Sequence, residues 1–292
     1  MKKVIVIIGP TGVGKTALSL ELAKAFDGEV INADSTQVYK EINIGTAKID
    51  DTEGIKHHLL DIKNLEEEYT VYDYQKDARK CLEDIVNRGK TAIIVGGSGL
   101  YLSALLYDYK FSKEDNIYDF DSLSDDEMYN TLKKANKDIE IDKRNRQRLI
   151  RAYAKYINRS EPINSDTGGS NLIYDTLFVG LTTSRDILYQ RINRRTDKMI
   201  EDGLIEEVRD LFNKYPDSKQ LRTTIGYKEF TNYIKNKDEL ENVITNIKQN
   251  SRNYAKRQYT WFNHKMDINW FNTNFDDFSK TSKEVIEYIK EV

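Results

Sequence analysis

Residues Val4 to Thr16 leave little choice of fold. Val4 to Ile8 is an unbroken run of valine and isoleucine, the mark of a buried strand. It leads into Gly9-Pro10-Thr11-Gly12-Val13-Gly14-Lys15-Thr16, which fills all four fixed positions of a phosphate-binding loop. Lys15 to Phe26 then places Ala17, Leu18, Leu22 and Ala25 on one helical face. In such a loop the glycines let backbone N–H groups curl around an anion, and the helix N-terminus adds the positive end of its dipole. Lys15 supplies a charge and the Thr16 hydroxyl can ligate Mg²⁺. A plain strand-to-helix turn would need neither Lys15 nor Thr16. The loop points to a di- or triphosphate ligand and leaves open hydrolysis, phosphoryl transfer or displacement of a diphosphate leaving group.

The same rhythm continues downstream. Val30 to Ala33 and Thr91 to Val95 are further buried-strand patterns, and Tyr72 to Val86 places Tyr74, Ala78, Leu82 and Ile85 on one helical face. Leu177 to Leu181 and Ile268 to Phe271 are candidate later strands. The alternation predicts an α/β fold, a P-loop NTPase-like parallel sheet flanked by helices. Residues 110–172 interrupt it and have the composition of a helical insertion domain within a core made of 1–109 and 173–292. The C-terminal part of that core is helical. Leu204, Ile205, Val208, Leu211 and Phe212 fit one helix that stops before Pro216, and Leu240, Val243, Ile244, Ile247, Tyr254 and Trp261 fit a longer one.

A length of 292 residues with 39% hydrophobic side chains suffices for a core and about two domains. Cys81 is the single cysteine, and His57, His58 and His264 are the histidines. That set excludes an internal disulfide and the usual structural zinc sites, and it suits a reducing cytoplasm. The apolar run after Lys2 and Lys3 is too short for a signal peptide, and no stretch approaches a membrane span, so no membrane partner is expected.

A formal net charge of -3 taken alone argues against nucleic acid. The charge is segregated, however. Glu114, Asp115, Asp119, Asp121, Asp125, Asp126 and Glu127 carry no intervening cation, whereas Lys143, Arg144, Arg146, Arg148, Arg151, Lys155 and Arg159 carry no intervening acid. Lys248, Arg252, Lys256, Arg257 and Lys265 form a second acid-free stripe, interleaved with Tyr254, Tyr259, Trp261 and Phe262. Cations with aromatics between them suit single-stranded or looped RNA. The alternative is a solvated face over core aromatics.

Ligands on parallel α/β sheets sit at the carboxyl ends of the strands. There the second strand runs into Asp34-Ser35-Thr36-Gln37 and the third into Gly96-Gly97-Ser98-Gly99. Asp34 could be a general base, a Mg²⁺ ligand or simply a turn cap. The third strand lacks the terminal acid with which many nucleotide hydrolases organise Mg²⁺ and water, which disfavours an ATPase. For His57-His58 a packing role and a site role both stay open. Arg191, Arg195 and Lys198 fall on one helical face, either solvated or aimed at a phosphate.

In series, these motifs resemble the tRNA dimethylallyltransferases. The matching segments are Gly9 to Thr16, Asp34 to Tyr39, Ile44 to Lys48, His57 to Leu59, Gly96 to Tyr101, Gln147 to Ala152, Gly226 to Glu229 and Lys256 to Phe262. The resemblance implies transfer of a dimethylallyl group from dimethylallyl diphosphate, with Mg²⁺, to the N6 amino group of the adenosine 3′ of the anticodon. The tRNAs would be those reading codons that begin with U, and the helical insertion would clamp the anticodon stem-loop. By the same resemblance Asp34 and Ser98 are catalytic. Gly9, Pro10, Thr11, Gly12, Val13, Gly14, Lys15, Thr16 and Arg195 bind the diphosphate, and Thr16 also binds the metal. Asp34, Ser35, Thr36, Gln37, Gln147, Arg148, Leu149, Ile150, Arg151, Lys256 and Arg257 contact tRNA. A monomer is expected for a clamp that encircles its RNA. Ser98 stands where the family usually has threonine, and Asn263 where it commonly has arginine. A small-molecule kinase and a non-catalytic RNA-binding protein are the competing classes.

Overall fold

The computed structural model describes residues 4–109, 120, 122–139, 141–143, 145–159 and 169–292, the side chains of Gln147, Asn158 and Arg159 excepted. The chain divides into two compact units, Met1–Leu106 with Leu172–Val292, and Tyr107–Asn171. In chain order the first unit opens with β1 (Val4–Ile8), α1 (Lys15–Ala25), β2 (Gly28–Asn32), β3 (His57–His58), α2 (Val71–Asn87), β4 (Thr91–Val95) and α3 (Gly99–Leu106). The second unit contributes α4 (Asp125–Ala135) and α5 (Arg146–Arg159). The first unit resumes with β5 (Thr176–Thr182), α6 (Arg185–Glu201), α7 (Leu204–Lys214), α8 (Lys219–Thr223), a 3₁₀ turn (Lys228–Thr231), α9 (Leu240–Lys265), β6 (Asn269–Asn272) and α10 (Phe278–Glu291).

Among the described residues the strands form one six-stranded sheet in the order β3-β2-β4-β1-β5-β6, every pairing parallel. A parallel sheet is covered on both faces, which explains why β1 is apolar at every position and wholly buried. The order puts β2, β4 and β1 side by side. Because all run the same way, the loops leaving Asn32, Val95 and Ile8 emerge at one edge.

Elements that the sequence reading passes over include β3, α3, α8 and α10. The two-residue β3 pairs with β2, His57 opposite Val30 and His58 opposite Ile31. Both histidines have local partners there, His57 Nδ1 lying 2.9 Å from the Ile55 carbonyl oxygen. His58 Nε2 lies 2.7 Å from Glu29 Oε2, and Arg88 donates to both oxygens of the same carboxylate at 2.6 and 2.7 Å. The Arg88 guanidinium holds the Glu29 carboxyl down at about 2. A depressed carboxyl contributes its stability above its ordinary value of 4.5 and loses it as pH falls toward 2. Arg88→Leu is therefore expected to destabilise the protein by about 1–3 kcal/mol near neutrality. In urea unfolding series the gap from wild type should close between about pH 5 and about pH 2; a pH-independent gap would exclude the ion pair as its cause.

In the second unit, Ser124 caps α4. Its hydroxyl accepts from the Glu127 N–H at 3.2 Å, and its own N–H donates to Glu127 at 2.8 Å. Met128, Leu132, Ile139, Leu149 and Ala152 form its core. Arg146 is spent on Asp125 and on the Leu123 carbonyl, and Lys143 on Asp126 at 3.0 Å. The acids at 114, 115, 119 and 121 lie outside the described residues.

Candidate active site

The phosphate loop takes its shape from three glycines with left-handed φ: Gly9 at 143°, Gly12 at 83° and Gly14 at 104°. L side chains rarely adopt these angles. Lys15 Nζ donates to the carbonyls of Gly9 and Pro10, both at 2.9 Å, so the ammonium is held inside the loop. Burial pushes Lys15 down to about 8, against the pull of the nearby Asp34 carboxylate. Thr16 is exposed at the start of α1, and its hydroxyl makes no hydrogen bond among the described residues.

Two arginines of the α6 face reach the loop. Arg195 Nη1 donates to Thr11 Oγ1 at 3.0 Å and Nη2 to the Thr46 carbonyl at 3.3 Å. Burial lowers its pKa, and Asp34 again opposes the shift. Arg191 Nε donates to the Gly12 carbonyl at 3.1 Å while its guanidinium lies 3.8 Å from the Phe275 ring centroid. Lys198, on the same face, pairs instead with Asp202 at 2.5 Å. Helical spacing proposed the face; the packing shows that two of its three cations serve the loop.

Asp34 follows β2. Its Oδ1 accepts from Thr36 N at 2.9 Å and Thr36 Oγ1 at 2.7 Å, so it does cap a turn. Oδ2 accepts no hydrogen bond among the described residues, which leaves it open to the site. Ser98 Oγ accepts from Ser35 N at 3.1 Å and donates to Ser35 Oγ at 3.3 Å, tying the β4 loop to the β2 loop. Gln37 Nε2 donates to the Thr46 carbonyl at 3.1 Å. The segment Ile44 to Lys48 is rigidly held: Glu207 accepts from the Ile44 N–H at 3.0 Å, and the Tyr227 hydroxyl accepts from the Gly45 N–H at 3.1 Å. A Cβ at Gly45 would lie 2.5 Å from the Tyr227 ring, so this glycine and the Gly226-Tyr227 turn serve the same close contact.

The two cationic stripes sort into structural and exposed members. Lys248 pairs with Asp197 at 2.5 Å, and Arg252 donates to Asn193 at 2.6 Å, which bind α9 to α6. Lys256 and Arg257 are exposed and form no ion pair among the described residues. On α5, Arg148 and Arg151 are exposed, while Leu149 is 0% exposed and Ile150 packs against the same core. The expectation that the Leu149 side chain contacts RNA gives way to a packing role, because helical spacing turns it inward. The Gln147 side chain lies outside the described residues.

Sequence reasoning gave Tyr254 and Gln258 no role at the phosphate loop: Tyr254 entered only as an aromatic of the cationic stripe and Gln258 only as part of the matching segment Lys256 to Phe262. Burial, reinforced by the Asp34 carboxylate, pushes the Tyr254 hydroxyl up to about 12. No helix among the described residues is long and apolar enough to cross a membrane.

The family model described as IPP transferase matches residues 37–265. The tRNA dimethylallyltransferase of Macrococcus caseolyticus is 44% identical over 299 residues, covering 98% of this chain and 94% of that protein. The solved tRNA isopentenylpyrophosphate transferase of Bacillus halodurans is 37% identical with a TM-score of 0.77, covering 100% of this chain and 96% of its own. A eukaryotic dimethylallyltransferase solved acting on tRNA is 33% identical with a TM-score of 0.86, covering 100% of this chain and 80% of its own.

Proposed function

The chain belongs to the IPP transferase family, and we propose that its sheet unit holds dimethylallyl diphosphate on Gly9 to Thr16 while Asp34 and Ser98 face the accepting adenine. The enzyme transfers the dimethylallyl group to the N6 amino group of the adenosine 3′ of the anticodon, in tRNAs reading codons that begin with U, and releases diphosphate. The observation that carries the residue roles is the convergence of three loops at one sheet edge: the phosphate loop holding Lys15 and bonded by Arg195 of α6, the loop of Asp34, and Ser98 bonded to Ser35.

In the reaction the bond from the allylic carbon to the diphosphate oxygen breaks and a bond from that carbon to N6 forms. Charge develops on the leaving diphosphate, where Lys15, Arg195 and the loop N–H groups of Gly12 to Thr16 stabilise it. The N6 proton passes to Asp34 through its open Oδ2. An adenine stacked in RNA cannot reach this edge, so the base enters unstacked. Holding both reactants in register supplies much of the acceleration.

Mg²⁺ fits this donor set. The ion takes one or two protein oxygens and fills its remaining positions with substrate phosphate and water, and the exposed Thr16 hydroxyl is one such oxygen. Thr16 would hold it, and it would supply charge to the diphosphate.

The RNA partner is the anticodon stem-loop, met by the segment Asp34 to Gln37, by Lys256 and Arg257, and by Arg148 and Arg151 of the insertion unit. The exposure of these four cations supports that reading. The protein acts as a cytoplasmic monomer. Arg148→Ala with Arg151→Ala is expected to weaken tRNA binding and to reduce the slope of log K against log salt by roughly 1–2. An unchanged slope would move the phosphate contacts elsewhere.

Incubation of the protein with labelled dimethylallyl diphosphate, Mg²⁺ and an unmodified tRNA tests the function itself. Label entering RNA without ATP supports it, whereas ATP turnover with no labelled RNA would make the protein a kinase or an ATPase.

A further inference from the structure

Gln258 lies in the C-terminal part of α9 and is 4% exposed. Its Oε1 accepts from the Thr11 N–H at 2.9 Å, and its Nε2 donates to the Gly97 carbonyl at 3.1 Å. A buried amide must use both ends, and here an N–H on one side and a carbonyl on the other fix its orientation. Thr11 belongs to the phosphate loop after β1, and Gly97 to the loop after β4. One side chain therefore joins the cradle of the leaving group to the loop that carries Ser98.

The surroundings are built for this contact. A Cβ at Gly97 would lie 2.1 Å from Gln258 Nε2, so only glycine admits the amide. Tyr254, one helical turn earlier, donates its hydroxyl to the same Gly97 carbonyl at 3.5 Å. Thr11 is pinned twice, at its N–H by Gln258 and at its hydroxyl by Arg195. From Gly97 the connection continues through Ser98 Oγ to the Ser35 N–H, next to Asp34.

Resting on the function proposed above, we infer that Gln258 is a positioning residue that fixes the distance between the diphosphate and the accepting amine. It touches neither reacting group. Strands β1 and β4 hold the roots of their loops through sheet pairing that ends at Ile7 and Val95, with one further bond from the Gly96 N–H to the Ile7 carbonyl at 3.4 Å, and beyond it Gln258 links the two loops. Reacting atoms need to approach to roughly 3–3.5 Å, and a displacement of about 1 Å can cost about 10²-fold in rate.

Gln258→Met keeps length and burial and removes both hydrogen bonds. With enzyme in excess and both substrates saturating, its single-turnover rate constant is expected to fall about 10- to 100-fold. The KM for dimethylallyl diphosphate and the Kd for tRNA should stay within about threefold. A rate constant is insensitive to the fraction of folded protein, so a merely structural role would not move it. Gln258→Glu supplies a second test should the methionine variant fail to fold. It keeps the acceptor for Thr11 but sets a carboxylate oxygen against the Gly97 carbonyl. Protonation restores the donor, so its rate relative to wild type should recover as pH falls from about 8 to about 6, a buried carboxyl near a carbonyl titrating high. A methionine variant within about twofold of wild type, or a glutamate variant matching wild type across that range, would overturn the inference. Failure of wild type itself to transfer the prenyl group would instead overturn the function on which it rests.

Discussion

Lys15→Met is expected to lower kcat/KM for dimethylallyl diphosphate by about 10²–10³-fold while leaving tRNA affinity within about threefold. The magnitude is that of removing one preorganised charge from a developing anion in a site that excludes water. The ammonium meets two carbonyls of its own loop and forms no ion pair among the described residues. The pH dependence follows from the same burial. With Lys15 brought down to about 8, the free enzyme carries the charge below that pH and loses it above. The KM for dimethylallyl diphosphate should accordingly be flat up to about pH 8 and rise beyond it, and the rise should be absent from Lys15→Met. A methionine variant with near wild-type kcat/KM would remove the lysine from the diphosphate site.

Asp34→Asn is expected to cut kcat by about 10²–10⁴-fold with tRNA binding spared, the range for loss of a general base. The substitution is unusually clean here. The carboxamide oxygen can still accept from Thr36 N and Oγ1, so the turn survives, and what is lost is a basic Oδ2. Since the Asp34 carboxylate also raises the Lys15 pKa, variant and wild type should be compared at several pH values below 8, and loss of a general base predicts a deficit that persists as pH is lowered. Equal losses of kcat and of tRNA affinity would make Asp34 a binding residue instead.

How far residues alone could lead depended on how local the governing physics is. The phosphate loop is local: strand, glycines, Lys15 and Thr16 are contiguous, and the structure builds them as expected. The positions of Asp34 and Ser98 follow from a general property of parallel sheets, because each lies in the loop that leaves the carboxyl end of a strand whose apolar run is unmistakable. The α6 face was half readable. Spacing grouped Arg191, Arg195 and Lys198, but the partners that separate them, Gly12, Thr11 and Asp202, include residues distant in the chain. Gln258 lies in a matching segment, Lys256 to Phe262, but its role arises only where α9 meets two loops. The same holds for His58, whose partner Glu29 becomes a neighbour through a strand too short to show periodicity. Leu149 shows the opposite hazard: a motif match extended to a side chain that helical geometry turns into the core.

The most direct measurement is nucleoside analysis of a tRNA after reaction with the protein, dimethylallyl diphosphate and Mg²⁺. Paired with it is the same tRNA carrying guanosine in place of the adenosine 3′ of the anticodon. The account predicts N6-dimethylallyladenosine from the first RNA and no prenylated nucleoside from the second. Prenylation of both, or of neither while free dimethylallyl diphosphate is consumed, would contradict it.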